Sequence, residues 1–198
     1  MTEPRVLILH GFQHHRDPDH WLWWLAERLR ERRIPVQYPQ FPTPDLPDLA
    51  AWIQLATAEL AMLGDGDRVV VTHSLGGVLW SHLVGRGLTS GERVLMVAPP
   101  SRDRLDGVIS PFGAGLGPDF LDTTGVTLVG RERDRYRNTP LNWLDGGRAA
   151  SVHVLPGEGH INTDDGHGPF PPALEWVLSG EWPASATTAP APAPANTQ

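Results

Sequence analysis

The sequence predicts an α/β fold: a mainly parallel sheet of about six strands with helices on both faces. Three observations support this prediction. Short apolar runs rich in β-branched residues recur along the chain, stretches with apolar residues at helical spacing lie between them, and glycine or proline separates most of these segments. Strands that alternate with helices are typical of a parallel sheet that is covered on both sides.

Six short runs are predicted as strands because each is mostly apolar and is bounded by turn residues. They are Val6–Leu9, Pro35–Tyr38, Arg68–Thr72, Val94–Val97, Val126–Val129 and Val152–Leu155. Runs without polar alternation indicate strands that are buried on both faces, as in a parallel sheet.

Four helices are predicted between and after these strands. Asp19 is expected to cap the first helix, and Asp45 with Pro47 to open the second. The third covers Leu75–Val84 and the fourth Pro171–Leu178. The apolar residues at helical spacing are Leu22, Leu25 and Leu29 in the first helix, and Leu49, Trp52, Ile53, Ala56, Leu60 and Leu63 in the second.

Composition and charge disfavour several classes of function. The net charge of −7 opposes sequence-independent binding to nucleic acid, and the basic cluster Arg28–Arg33 suits the end of a helix. The chain has no cysteine, which excludes disulfides and thiolate chemistry. No apolar run approaches the ~20 residues of a membrane span, and the N-terminus lacks the pattern of a signal peptide. We therefore expect a cytoplasmic protein.

The chain is expected to form one domain over residues 1–182, followed by a tail. Ten of the sixteen residues in 183–198 are alanine or proline, a composition that predicts a disordered extension. Residues 101–121 are rich in glycine, proline and aspartate and predict a long loop, which is either a partial lid or an ordinary surface loop.

The sharpest motif is the strand Val69–Val71 followed by Thr72, His73, Ser74, Leu75 and Gly76. A strand that runs through a tight turn into a helix, with serine at the turn, is the setting of a nucleophile elbow. Thr72 stands where this pattern usually has glycine, so the turn requires extra room beside it. The alternative is a serine that caps the helix.

A nucleophilic serine requires a base, usually a histidine that is oriented by a carboxylate. Of the histidines late in the chain, His153 lies within a strand, His167 is expected to be a solvated loop residue, and His160 lies on a glycine-rich loop directly after a strand. We therefore predict His160 as the base. Glu132 and Asp134 both follow a strand, and their spacing does not choose between them as the acid.

Two backbone N–H groups are expected to form an oxyanion hole. One belongs to Leu75 after the nucleophile, and the other to Phe12 in the loop after the first strand. His10, Gly11, His73 and Gly76 are expected to support the loop and the elbow.

We expect neither a metal nor a cofactor. Two polar clusters contain residues of the types that bind metals, but without H-E-x-x-H or comparable spacing. They are His14, His15, Asp17, Asp19 and His20, and Asp164, Asp165 and His167. The first cluster favours a polar loop at the entrance of the site. Neither a dinucleotide-binding fingerprint nor a P-loop is present.

Residues 5–179 resemble the small serine-hydrolase family of the α/β-hydrolase superfamily, the group of retinoblastoma-binding protein nine and bacterial YdeN-type proteins. The segments that carry the resemblance are Val6–Gly11, His73–Gly76, Val97–Pro100, Gly159–Asn162 and Gly166–Pro171. In the family's acid loop, an aspartate is usually followed by proline and an aromatic residue. The matching residues here are Asp134, Arg135 and Tyr136, so the resemblance selects Asp134, with Arg135 as a departure.

The resemblance implies a six-stranded compact hydrolase fold and a triad of Ser74, Asp134 and His160. The expected activity is cleavage of a small carboxylic ester, thioester or amide through an acyl-enzyme, in a pocket lined by aromatic residues such as Phe12, Trp21 and Trp143. The alternative is a non-catalytic interaction protein on a hydrolase scaffold, since some family members are discussed as partners of other proteins and fold does not determine function.

Overall fold

The computed structural model describes residues 3–116, 121–141 and 148–187. Within these ranges, six parallel strands form one sheet in the order β2-β1-β3-β4-β5-β6. The strands are β1 (Pro4–Leu9), β2 (Val36–Gln37), β3 (Asp67–His73), β4 (Arg93–Val97), β5 (Thr127–Arg133) and β6 (Ser151–Glu158). The longer helices are α1 (Trp21–Glu31), α2 (Leu49–Met62), α3 (Leu75–Gly85) and α4 (Pro171–Ser179). The predicted parallel α/β sheet is confirmed.

Two apolar cores lie on the two faces of the sheet. In β1, Val6 and Ile8 contribute to the core beneath α1 and α4, whereas Leu7 and Leu9 contribute to the core beneath α2 and α3. Successive side chains of a strand point to opposite faces, so an uninterrupted apolar run is needed to fill both cores.

The strand order reverses direction at β1. From β1 the chain first adds β2 on one side and then crosses to β3 on the other. In open parallel sheets, ligands bind outside the carboxyl ends of the strands at such a reversal. The chain segments that follow β1 and β3, including Gly11 and Ser74, therefore meet where a ligand site is expected.

Both of the first two helices begin later in the chain than the sequence predicts. His20, and not Asp19, caps α1, because its Nδ1 accepts the backbone N–H of Leu22 at 3.1 Å. Asp48 caps α2 by accepting the N–H of Ala51 at 2.7 Å. A capping side chain must reach the second or third N–H of the helix, which Asp45 cannot do from four residues before its first turn.

The loop after β4 is more structured than the sequence suggests. It contains short 3₁₀ helices at Arg102–Arg104 and Gly107–Gly113, and Phe112 is fully buried in the core beneath α2 and α3. Residues 117–120 of the predicted loop lie outside the described residues. Whether the loop moves as a lid stays an open prediction.

The described residues include the first part of the predicted tail. Ala184–Thr187 form a 3₁₀ helix that contacts β6, and Ala186 is buried. The rest of the predicted tail, 188–198, lies outside the described residues. In the part of the chain that is described, no helix has both the length and the hydropathy to cross a membrane.

Candidate active site

Ser74 lies at the turn between β3 and α3 with φ 55° and ψ −124°. A positive φ is unfavourable for a residue with a side chain, and such strain persists only where the surroundings enforce it. Here the Ser74 N–H donates to the carbonyl of Val97 at 3.0 Å. The Ser74 hydroxyl makes no capping bond to α3. The alternative interpretation of Ser74 as a helix-capping serine is therefore wrong.

Glycine is required on both sides of this turn by close approach of the backbone. A Cβ added at Gly76 would lie 2.2 Å from the carbonyl oxygen of Leu9, and one added at Gly11 would lie 2.8 Å from the Ser74 Cβ. The absence of side chains at these two glycines therefore allows the end of β1 to pack against the Ser74 turn.

Thr72 is fully buried beside the turn, and its Oγ1 has no hydrogen-bond partner among the described residues. A Cβ added at Gly77 would lie 3.4 Å from the Thr72 Oγ1, an ordinary contact distance, but 3.0 Å from the Met96 Cγ. Gly77 directly follows Gly76, and its lack of a side chain leaves room for Met96 rather than for Thr72.

His160 lies within hydrogen-bond distance of both Ser74 and Asp134. Its Nε2 is 2.7 Å from the Ser74 Oγ, and its Nδ1 is 2.8 Å from the Asp134 Oδ2 and 3.0 Å from Oδ1. The ionised carboxylate can only accept, so Nδ1 carries a proton and donates it to Asp134. In the neutral imidazole, Nε2 then accepts from the Ser74 hydroxyl.

Asp134, and not Glu132, lies against His160. Asp134 is buried after the end of β5, and its Oδ1 also accepts the N–H of Tyr136 at 2.9 Å. Glu132 is exposed and accepts the N–H of Gly157 at 3.0 Å. The two carboxylates that spacing alone left equivalent therefore have different partners.

The loop that carries His160 is held at both backbone groups of that residue. The His160 N–H donates to the Asp165 Oδ2 at 2.6 Å, and its carbonyl accepts from His73 Nε2 at 2.9 Å. Asp165 also lies 3.4 Å from Arg135, the residue that departs from the family pattern. This role of Asp165 was not predicted from the sequence, because a contact five residues away in an irregular loop has no periodic signal.

Two backbone N–H groups are available near Ser74. Leu75 is the first residue of α3, where an N–H has no acceptor within the helix. No bond from the N–H of Phe12 or Leu75 to a described residue is present. His10 orders the Phe12 loop, since its Nδ1–H donates to the Gly11 carbonyl at 2.8 Å and its Nε2 accepts the Phe41 N–H at 2.9 Å. Burial lowers the pKa of His10 to about 4, which keeps this neutral tautomer.

Comparison with known proteins identifies the family. Residues 6–179 match the family described as serine hydrolase. The chain belongs to the serine hydrolase family. This confirms the resemblance inferred from the sequence and the prediction of a serine-hydrolase enzyme. Among curated protein sequences, none matches the chain significantly.

Solved structures share the fold of this serine hydrolase at low sequence identity. The ydeN gene product of B. subtilis is 20% identical with a TM-score of 0.72, over 89% of this chain and 97% of that one. Est1E from Butyrivibrio proteoclasticus, with ferulic acid bound, is 16% identical with a TM-score of 0.58, over 89% and 86%. The type II thioesterase BorB from the borrelidin biosynthetic cluster is 14% identical with a TM-score of 0.57, over 90% and 91%. These likenesses establish the α/β-hydrolase fold.

A cavity of about 170 Å³ opens beside Ser74 in this serine hydrolase. Its lining includes the apolar residues Pro100, Leu105 and Ile109 and the polar residues His14 and His20. The volume lies below the roughly 300 Å³ at which sites for drug-sized ligands begin. A separate and more open groove of about 740 Å³ includes Asp134 but neither Ser74 nor His160.

The predicted aromatic lining is partly wrong. Phe12 lines the cavity, but Trp21 is fully buried in the core, where its Nε1–H donates to the carbonyl of Ile161 at 2.9 Å. Trp21 thus ties α1 to the residue after His160. Trp143 lies outside the described residues.

The two polar clusters do not form a metal site within the described ranges, where no three candidate ligands converge. His14, Asp17 and His20 line the cavity, as a polar entrance loop requires, while His15 pairs with Asp45 at 3.2 Å.

The prediction for His167 as a solvated residue is wrong, because its side chain is buried beside Arg131. The His167 Nδ1 lies 3.4 Å from an Arg131 guanidinium nitrogen. Burial and then the Arg131 charge lower the pKa of His167 to about 4. This burial could not be predicted from the sequence, because the ring of Phe170 and the side chain of Arg131 lie against His167 only in the tertiary structure.

Proposed function

We propose that this serine hydrolase cleaves small carboxylic esters through an acyl-enzyme, with Ser74 as nucleophile, His160 as base and Asp134 as the acid that orients it. The observation that carries the proposal is the 2.7 Å contact between Ser74 Oγ and His160 Nε2, with Asp134 on the other ring nitrogen. A serine hydroxyl is a weak nucleophile unless an adjacent base removes its proton.

The reaction follows from this arrangement. Ser74 Oγ attacks the carbonyl carbon while His160 Nε2 takes the hydroxyl proton, and the carbonyl oxygen becomes an oxyanion that the N–H groups of Phe12 and Leu75 stabilise. His160 then gives that proton to the leaving alcohol as the ester bond breaks. Water adds to the acyl-enzyme in the same way, and its proton passes through His160 to Ser74 as the acid leaves. Thioesters and amides with small acyl groups would follow the same steps.

The alternative of a non-catalytic interaction protein has lost its main support. Thr72 and Arg135 were the two departures that favoured it. Thr72 is buried beside a turn at which Ser74 Oγ still lies 2.7 Å from His160 Nε2. Arg135 pairs with Asp165, which accepts the His160 N–H. Neither departure disturbs the groups that the reaction requires.

Fluorophosphonate labelling tests the proposal. We expect one adduct by intact mass on the wild-type protein and none on folded Ser74→Ala, with hydrolysis of short acyl esters by the wild type alone. Ser81→Ala is a matched control, because Ser81 is buried in α3 and its hydroxyl donates to the carbonyl of Gly77. A folded wild-type protein that takes no adduct and hydrolyses no ester would overturn the proposal.

A further inference from the structure

His20 lines the Ser74 cavity and is not used by the reaction proposed above. The residue is 4% exposed, and its ring stacks on Trp21 with 5.9 Å between centroids. The rings of His14 and His73 contact it edge-on at 4.5 and 5.1 Å. These contacts fix the position of the imidazole.

The cap on α1 also determines which nitrogen of His20 carries the proton. The N–H of Leu22 donates to Nδ1 at 3.1 Å, so Nδ1 has no proton of its own. Burial, together with the neighbouring His73 and His14, holds the pKa of His20 far below its ordinary value. In the neutral ring, the proton must then lie on Nε2, which is a hydrogen-bond donor.

This donor has no acceptor among the described residues of the protein. Nε2 is not one of the described side-chain polar atoms that are both unpartnered and shielded from solvent, so it is accessible. Because His20 lines the cavity that also contains Ser74 and His160, this accessible donor can bond to a group that enters the cavity.

The charges around the cavity indicate an uncharged acceptor. The described lining residues include two carboxylates, Asp17 and Asp164, against one guanidinium, Arg104, which is hydrogen-bonded to Asn138. The neutral ring of His20 adds no positive charge. The charged lining residues thus carry a net negative charge, which disfavours an anionic substrate in this cavity but not an ether, hydroxyl or carbonyl oxygen.

We propose that His20 is a specificity-determining residue that donates a hydrogen bond from Nε2 to an uncharged oxygen of the substrate, and that the preferred substrates are short esters whose acyl group carries such an oxygen. This inference rests on the proposed ester hydrolysis at Ser74. The apolar lining residues Leu105 and Ile109 then contact the carbon part of the acyl group.

Matched esters test this role. p-Nitrophenyl methoxyacetate and p-nitrophenyl butanoate differ by an ether oxygen in place of one methylene, and p-nitrophenyl 3-hydroxybutanoate adds a hydroxyl. The measured quantity is the ratio of kcat/KM for each oxygenated ester to that for butanoate. Comparing this ratio between wild type and variant cancels the intrinsic reactivity of the esters.

His20→Asn is the informative variant, because asparagine is a good helix cap and its side-chain oxygen can replace Nδ1, but it does not extend to the position of Nε2. We expect the ratio for at least one oxygenated ester to fall roughly threefold to tenfold, the effect of one hydrogen bond between neutral groups. His153→Asn, at a half-buried histidine on β6 away from the cavity, should leave the ratio unchanged.

The outcomes separate the two proposals. If wild type and folded His20→Asn hydrolyse all three esters with the same ratios, the role of His20 is wrong while ester hydrolysis stands. If the wild type hydrolyses none of them and takes no fluorophosphonate adduct, the proposed function fails and this inference fails with it. Circular dichroism of His20→Asn verifies that α1 is retained.

Discussion

The Nε2–H of His73 donates a 2.9 Å hydrogen bond to the carbonyl oxygen of His160. His73 directly precedes the proposed nucleophile, so this bond joins the Ser74 turn to the backbone of the proposed base. On the other side of the same residue, Asp165 accepts the His160 N–H. The distance between Ser74 and His160 is thus controlled by backbone contacts as well as by the side chains of the proposed triad.

Loss of this bond should impair turnover more than substrate binding. His73→Phe keeps an aromatic ring but leaves the buried His160 carbonyl without its donor. Because a small misplacement of a catalytic group has a large effect on rate, we expect kcat to fall at least tenfold with KM changed little. Steady-state kinetics on a short ester measure this. His153→Phe is the control, and equal kcat values for the two variants would contradict the positioning role.

Asp134 and Glu132 should respond very differently to removal of charge. Asp134→Asn puts an amide against His160 Nδ1 and favours the wrong tautomer, so we expect kcat to fall by about four orders of magnitude. Glu132→Gln changes an exposed residue that accepts one backbone N–H, and kcat should stay within about twofold of wild type. Esterase kinetics on both variants, with folding verified by thermal melts, decide the matter. The reverse pattern would move the acid to Glu132.

Gly76 should tolerate no side chain, whereas Gly85 in the same helix should. The Cβ of Gly76→Ala would lie 2.2 Å from the Leu9 carbonyl oxygen, so β1 and α3 would have to separate. We expect this variant to lose several kcal/mol of unfolding free energy or not to fold. Gly85→Ala meets nothing within 4 Å and should be neutral or stabilising by up to ~1 kcal/mol. Urea unfolding of both variants tests the pair, and equal stability would contradict this account of the turn.

Stability should decrease as the pH falls below about 6.5. Burial lowers the folded-state pKa of His10 and His167 to about 4 and that of His73 to about 3. Below the unfolded value of 6.5, the unfolded chain binds protons that the folded protein excludes. The contribution is therefore complete above pH 6.5 and declines towards pH 4.

Each such histidine should reduce the unfolding free energy by about 1.4 kcal/mol per pH unit in this window. Urea unfolding at pH 7.5, 6.0 and 5.0 measures the slope, and His167→Gln should make it shallower by the share of one histidine. A free energy of unfolding that does not change between pH 7.5 and 5.0 would show that these histidines are protonated in the folded protein.

The sequence by itself determined the elements and the type of site. Apolar runs such as Val69–Val71 predicted buried parallel strands, and the residues around Ser74 predicted the tight turn into α3, because an uninterrupted apolar run and small residues at a turn are patterns among neighbours in the chain. The resemblance then selected Asp134 over Glu132. Spacing could not do so, since both carboxylates follow the same strand two residues apart.

Only the tertiary structure decided which groups meet. Ser74 and His160 are 86 residues apart in sequence, and His160 and Asp134 are 26 apart. Their contacts depend on how the carboxyl ends of different strands come together at one edge of the sheet. The burial of His167 and the free Nε2 of His20 have the same origin, because solvent access and the lack of a hydrogen-bond partner are properties of packed neighbours that no local pattern of residues records.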